Sequence, residues 1–143
     1  MSITITDLGQ KIHYFILIRR TILGKEAEKN GLFPGQPGLL ICLSKNEGCT
    51  QNDVARELGV SPASIASSVR RLSRSGFLEK RINSSDLRCN KLYLTPKGKK
   101  AAEICLKEGE LFNESILGSL SDSEKEELGI LMDKLSRNAE KSL

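Results

Sequence analysis

Three arginines and a run of small, hydroxylated residues are spaced so that a helix would gather them on one side. Between Pro62 and Arg74, at about 100° per residue, Ile65, Val69 and Leu72 share an apolar stripe. Ala63, Ser67, Arg70 and Arg74 fall opposite, flanked by Ser64 and Arg71. Such a face can read a polyanion with a patterned edge. Arginine clamps phosphate or a guanine edge bidentately, serine donates or accepts, and small residues let the helix come close to base edges. The face carries no acidic residue. A solvated helix surface that merely holds arginines is the plain alternative, because runs of charge are usually just solvated. A second pair stands further on: Asp86 and Arg88, two residues apart in a polar stretch from Asn83 to Asn90. Its carboxylate could orient the guanidinium for a narrow minor groove, where negative potential is enhanced. A bare D-x-R is a weak pattern, and its position is what makes it informative.

The flanking segments supply the elements that would hold these groups. Thr50 is a plausible N-cap with Asp53 three residues on, which starts a helix at Gln51. Val54, Ala55 and Leu58 give that helix an apolar stripe, and Gly59 ends it. Ser61 then caps a second helix, with Pro62 at its first position, where a missing N–H costs nothing. Two short helices joined by a turn of about three to four residues form a helix-turn-helix, whose second helix enters the DNA major groove. Gly76 closes the second helix. Phe77–Ile82 and Lys91–Thr95 read as strands joined by the polar loop, a wing with Asp86 and Arg88 at its tip. The DNA-facing set is therefore Thr50, Gln51, Ser61, Pro62, Ala63, Ser64, Ser67, Arg70, Arg71 and Arg74, with Asp86 and Arg88 on the wing.

Together these motifs resemble the MarR family of bacterial winged-helix transcriptional regulators. The resemblance runs from Gly48-Cys49-Thr50-Gln51-Asn52-Asp53-Val54-Ala55 through Val60-Ser61-Pro62, Leu72 to Leu78 and Asp86-Leu87-Arg88. It continues through Leu94-Thr95-Pro96-Lys97-Gly98 to Leu120-Ser121-Asp122-Ser123-Glu124, and so covers roughly residues 7 to 140. It implies a homodimer whose first and last two helices intertwine. It further implies repression of a pseudo-palindromic operator, relieved by a small aromatic or phenolic effector in a cleft between the dimer helices and the DNA-binding lobe. One departure is plain: the first helix, where several thiol-sensing or ligand-sensing members keep their sensor residues, contains no cysteine.

Outside the motifs the chain reads as support. Its 143 residues, 38% of them hydrophobic, suit one domain, with residues 7–29 and 96–141 as a helical dimerisation region and 34–95 as the DNA-binding lobe. The fold class expected is mostly α with a small β-hairpin wing. Asp7 to Lys29 forms one helix whose apolar band, Leu8, Ile12, Phe15, Ile16, Ile18, Ile22 and Leu23, is too wide for a single packing surface. A second subunit would account for it, and so would a central core helix within one chain. His13 and Tyr14 on that helix are candidates for lining a ligand pocket, although a lone His or Tyr is more often structural. Pro34, Gly35, Pro37 and Gly38 read as a connector to a short buried helix, Leu39–Leu43. Thr95 and Pro96 start a long helix to about Gly118. Ser121 and Glu124 form a capping box for a last helix striped by Leu128, Leu131 and Leu135 and broadened by Ile130 and Met132.

Charge separates along the chain. Residues 50–100 carry 11 Lys and Arg against 4 Asp and Glu, a net of +7, whereas residues 101–143 carry 5 against 10, a net of −5. A localised basic patch is the footprint of phosphate binding, since each cation that meets a phosphate releases condensed counterions. No signal-peptide pattern and no run approaching ~18 apolar residues is present, so a cytoplasmic protein with no membrane contact is expected. Cys42, Cys49, Cys89 and Cys105 lack C-x-x-C spacing, and His13 is the only histidine, so neither a disulfide framework nor a zinc site is indicated. Cys42 reads as core, while Cys49 and Cys89 are expected to be exposed and keep thiol sensing open as an alternative. No cofactor is expected, and no phosphate loop, nucleophile elbow or metal motif supports catalysis. A winged helix used for protein contacts is the remaining rival, and would require an apolar outward face on residues 63–74.

Overall fold

The computed structural model describes residues 2–82 and 90–143. They belong to two compact units, Met1–Glu108 and Gly109–Leu143. The first unit holds α1 (Ile5–Lys29), α2 (Gln36–Lys45), α3 (Gln51–Leu58), α4 (Pro62–Arg74), the antiparallel hairpin β1 (Leu78–Ile82) and β2 (Asn90–Leu94), and the start of α5 (Pro96–Leu117). The second holds the end of α5 and α6 (Asp122–Glu140). The expected class, mostly helical with a two-stranded wing, is the observed one.

Local chemistry fixes the ends of the two central helices. The Thr50 hydroxyl accepts from the Asp53 N–H at 3.2 Å and the Asp53 carboxylate accepts from the Thr50 N–H at 2.9 Å, a reciprocal box that satisfies two orphan donors. The Thr50 backbone and hydroxyl donors hold the Asp53 carboxyl below its usual range. Gly59 ends α3 at φ 64°, a left-handed conformation that costs glycine nothing. The Ser61 hydroxyl accepts from the Ser64 N–H at 3.2 Å, with Pro62 in the first turn of α4. Ser121 and Glu124 close the same kind of box on α6.

Three elements differ from expectation. α1 starts at Ile5 rather than Asp7, because Thr4 and Asp7 form a full capping box of their own. α2 starts at Gln36 and not Leu39. Pro37 falls in its first turn, where backbone N–H groups lack helical acceptors anyway, so a proline there extends the helix instead of breaking it. In the hairpin the first strand starts one residue later than expected and keeps its end, Leu78–Ile82, while the second is displaced by one residue, to Asn90–Leu94. A third segment also joins β2: the Gly48 N–H donates to the Leu92 carbonyl and the Leu92 N–H to the Cys49 carbonyl, both at 2.9 Å, and Thr50 bridges Lys91. The entry to α3 is thereby tied to the base of the wing. Gly48 stands there at φ 82°, and a Cβ in its place would lie 3.0 Å from the Tyr93 hydroxyl.

The core of the first unit lies between the helix-turn-helix and the hairpin. Leu39, Leu40 and Leu43 of α2, Val54, Ile65, Val69 and Leu72 of α3 and α4, and Leu78 and Leu92 of the strands are buried together. Ile65, Val69 and Leu72 thus occupy the inward stripe assigned to them. α1 behaves differently, for only Ala27 on it is buried. Leu8, Ile12, Phe15 and Ile16 are exposed by 45 to 54%, so the central-core explanation of its apolar band fails within this chain. In the second unit α6 buries no residue at all. No helix among the described residues is long and apolar enough to cross a membrane.

Candidate nucleic-acid interface

α4 presents the face that its spacing demands. Pro62, Ala63, Ser64, Arg70, Arg71 and Arg74 are exposed, while Ser67 is half-buried. The Ser61 hydroxyl donates to the Ser64 hydroxyl oxygen at 2.9 Å as well as accepting from its N–H. Ser64 therefore keeps its own proton to donate outward, toward an acceptor such as a purine N7 or a thymine O4. The cap of the helix and its outward hydroxyl are one hydrogen-bonded pair. Thr50 and Gln51 are half-buried at the start of α3. The capping bonds of Thr50 make it a positioning group.

Which cations are available to phosphate depends on what already holds them. Arg81 is bound to Glu79 at 2.7 Å and lies over the Tyr93 ring at 4.0 Å. Lys99 pairs with Glu47 at 3.7 Å and Arg56 with Asp53 at 3.8 Å. Lys97 donates to the Ser75 carbonyl at 2.7 Å and sits 4.3 Å from the centre of the Phe77 ring, so it caps the C-terminus of α4. Among the described residues from 50 to 100, Arg70, Arg71, Arg74, Lys80, Lys91 and Lys100 have neither an acidic partner nor a carbonyl bond like that of Lys97. Three of those six are on α4, and Lys80 and Lys91 lie on neighbouring strands of the hairpin. These two were not singled out from sequence, although basic residues on both sides of the polar loop were the available signal. Asp86, Arg88 and Cys89 lie outside the described residues.

The ligand candidates separate. His13 and Tyr14 are both exposed on α1. Tyr14 lines an open hollow with Ser2, Ile3, Asp7, Gln10 and Lys11, and His13 is not part of it. A different hollow, of about 550 Å³, is bounded by Arg19, Arg20, Leu23, Gly24 and Ala27 of α1, with Pro34, Gly35, Pro37, Gly38 and Val60 opposite. That volume is in the range of small-molecule sites, roughly 300 to 1,000 Å³. Sequence reasoning missed it, since three of its lining residues are glycines that gain meaning only when the segments meet.

The cysteines speak against a thiolate sensor among the described residues. Cys42 is buried and donates to Glu57 at 3.3 Å, and burial pushes its thiol up to about 12. Cys49, expected to be exposed, is half-buried within the third strand segment, and burial followed by the Asp53 charge raises its pKa too. Because the thiolate is the nucleophile, both groups should resist iodoacetamide near neutral pH and react faster only as alkali reaches their raised pKa values. Peptide mapping after timed alkylation would check this, and rapid labelling of Cys49 at neutral pH would reverse the conclusion.

The MarR family model matches residues 34–90. The HTH-type transcriptional regulator BilQ of Clostridium symbiosum is 35% identical over 121 residues, which cover 82% of each chain. The fold is similar to the crystal structure of the transcriptional regulator SlyA, with a TM-score of 0.86 at 24% identity over 95% of this chain and 96% of that one. It is likewise similar to the S. aureus MepR–DNA complex, with a TM-score of 0.78 at 20% identity over 95% of this chain and 96% of the other.

Proposed function

Since this chain belongs to the MarR family of DNA-binding transcriptional regulators, which are not enzymes, we propose that it acts as a homodimeric repressor of a pseudo-palindromic operator. The observation that carries this reading is the outer face of α4. It offers three arginines without a described acid partner and a serine hydroxyl with a proton to spare, on a helix rigidly capped at Ser61. Two such helices, one from each subunit, enter successive major-groove faces about one helical turn apart, which is why a two-fold operator is expected. Arg70, Arg71 and Arg74 contribute phosphate and guanine contacts, and Lys80 and Lys91 track the backbone beside the wing. Arg88 enters the adjacent minor groove with Asp86 holding its guanidinium. Bound in this way in the cytoplasm, the dimer denies its promoter to polymerase. The hollow of about 550 Å³ between α1 and the α2 entry is the place for a small aromatic or phenolic effector, where Arg19 and Arg20 would meet a phenolate or carboxylate.

Selection of bound duplexes from a random pool tests this. The wild type should return a two-fold motif. Ser64→Ala and Ser67→Ala should change the preferred bases within each half-site while leaving the salt dependence of binding as it was, because they remove base contacts and no charge. Recovery of no motif, or the same motif from both serine variants, would remove α4 from the role of recognition helix.

A further inference from the structure

Phe33 lies in the connector between α1 and α2, far in sequence from the basic face, and it is an odd residue to leave in water. Its neighbour Leu32 is 2% exposed, whereas Phe33 itself is 56% exposed. Its backbone is nevertheless fixed. The Phe33 N–H donates to the side-chain oxygen of Gln36 at 2.8 Å, the Phe33 carbonyl accepts from the Gln36 N–H at 3.1 Å, and Gln36 is only 3% exposed. The left-handed turn at Gly35, φ 87°, brings this about. A rigid mount carrying an exposed ring needs a reason beyond core packing. The ring lies beneath the guanidinium of Arg71 on α4, 4.9 Å from its centre to Cζ.

We propose that Phe33 is a positioning residue for operator binding: its ring holds the Arg71 guanidinium at the edge of the recognition face so that its N–H groups meet a DNA phosphate. This rests on the operator-binding role of α4 given above. A guanidinium over a ring uses its face for the cation–π contact and leaves its five in-plane N–H donors free. A long side chain otherwise loses rotamer freedom when it binds phosphate, and the ring removes part of that freedom beforehand. Arg71 falls on the flank of α4 beside Ser64, two turns away, and not at the centre of the outward face. From there it meets the sugar-phosphate wall of the groove instead of its floor, so the effect should be blind to sequence.

Four proteins decide the matter: wild type, Phe33→Leu, Arg71→Gln and the double variant, each titrated with the selected operator and with a scrambled duplex of equal length. Phe33→Leu keeps apolar bulk and removes the ring face. It should bind both duplexes more weakly, by about two- to fivefold for each subunit's contact, in keeping with a cation–π contact at an exposed site, and leave the salt slope unchanged. Arg71→Gln should weaken binding more and lower the slope by about one for each subunit. The double variant should bind no worse than Arg71→Gln alone, because the ring has nothing left to hold. A fifth protein, Phe33→Tyr, should keep wild-type affinity, and thermal unfolding of all five should coincide because the ring is mostly in solvent. Unchanged binding by Phe33→Leu, or a further loss on adding it to Arg71→Gln, would overturn the proposal. A wild type that retains no duplex would bring down the operator-binding role itself, and this proposal with it.

Discussion

Gly98→Ala should destabilise the first unit by about 3 kcal/mol, at the upper end of what overpacking costs and with hydrogen bonds lost besides. The geometry leaves little room for relief. A Cβ at position 98 would lie 1.8 Å from the Phe77 carbonyl oxygen and 3.2 Å from a Leu94 methyl, where ordinary contact needs about 3.5 Å. The obstructing atom is backbone. It also accepts from the Thr95 N–H at 3.1 Å, while the Phe77 N–H is held by the Leu72 carbonyl at 2.9 Å, so Phe77 cannot swing aside without opening two further bonds. Moving the start of α5 outward instead would break the Gly98 N–H bond to the Thr95 hydroxyl and pull Lys97 from the Ser75 carbonyl. Whichever side gives way, the joint between α4, the hairpin and α5 loosens. Gly109→Ala on the same helix is the control, because a Cβ there meets nothing within 4 Å. It should stabilise the helix by about 0.5 to 1 kcal/mol through propensity alone. Thermal melts followed by circular dichroism should therefore move in opposite directions for the two variants, and a Gly98→Ala midpoint equal to wild type would show that α5 does not seat on Phe77 as described.

What could be read from the sequence was whatever its chemistry keeps local. Thr50 with Asp53, and Ser121 with Glu124, announce their capping boxes within four residues, and the inward stripe of α4 follows from spacing alone. Thr4 with Asp7 is the same signal, and it starts α1 ahead of its apolar band. Pro37 and Gly38 look like a connector in isolation, so α2 reads from sequence as starting only at Leu39. The helix forms there because Gln36, Leu39, Leu40 and Leu43 are buried by segments distant in sequence, which a local reading cannot supply. The third strand segment has no local mark at all, since Gly48, Cys49 and Thr50 pair with β2 some forty residues on. The candidate site divides along the same line. The arginines of α4 are marked by their spacing, but nothing local separates them from Lys97, Lys99 and Arg81, whose partners Ser75, Glu47 and Tyr93 stand well apart in sequence.

Replacing Leu131 and Leu135 on α6 by glutamate should halve the mass of the protein in light scattering and weaken operator binding by about a hundredfold or more. The first effect follows from the apolar surface. Leu128, Leu131, Met132 and Leu135 are exposed by 39 to 53%, and α6 buries nothing within its own chain. A stripe of that kind is stable in water when a second copy covers it, with α1 offering another exposed apolar band for the same purpose. Two carboxylates placed in that stripe would have to be desolvated without partners, which costs more than the contact returns. The second effect follows from valency. In a dimer, the binding of one α4 delivers the other to its half-site at an effective concentration that multiplies affinity by about 10² to 10⁴, with no new contact made. A monomer forfeits that factor although its recognition face is intact. Charge alone must be separated from assembly, because added carboxylates repel phosphate at a distance. Lys134→Glu with Arg137→Glu shifts the charge of the same helix further in the same direction, away from the leucine stripe. That pair should remain a dimer and lose much less operator affinity, the more so at raised salt, where long-range repulsion is screened and the missing half-site contact is not. Wild-type mass and wild-type affinity in the leucine variant would leave the exposed stripe of α6 without the partner assigned to it.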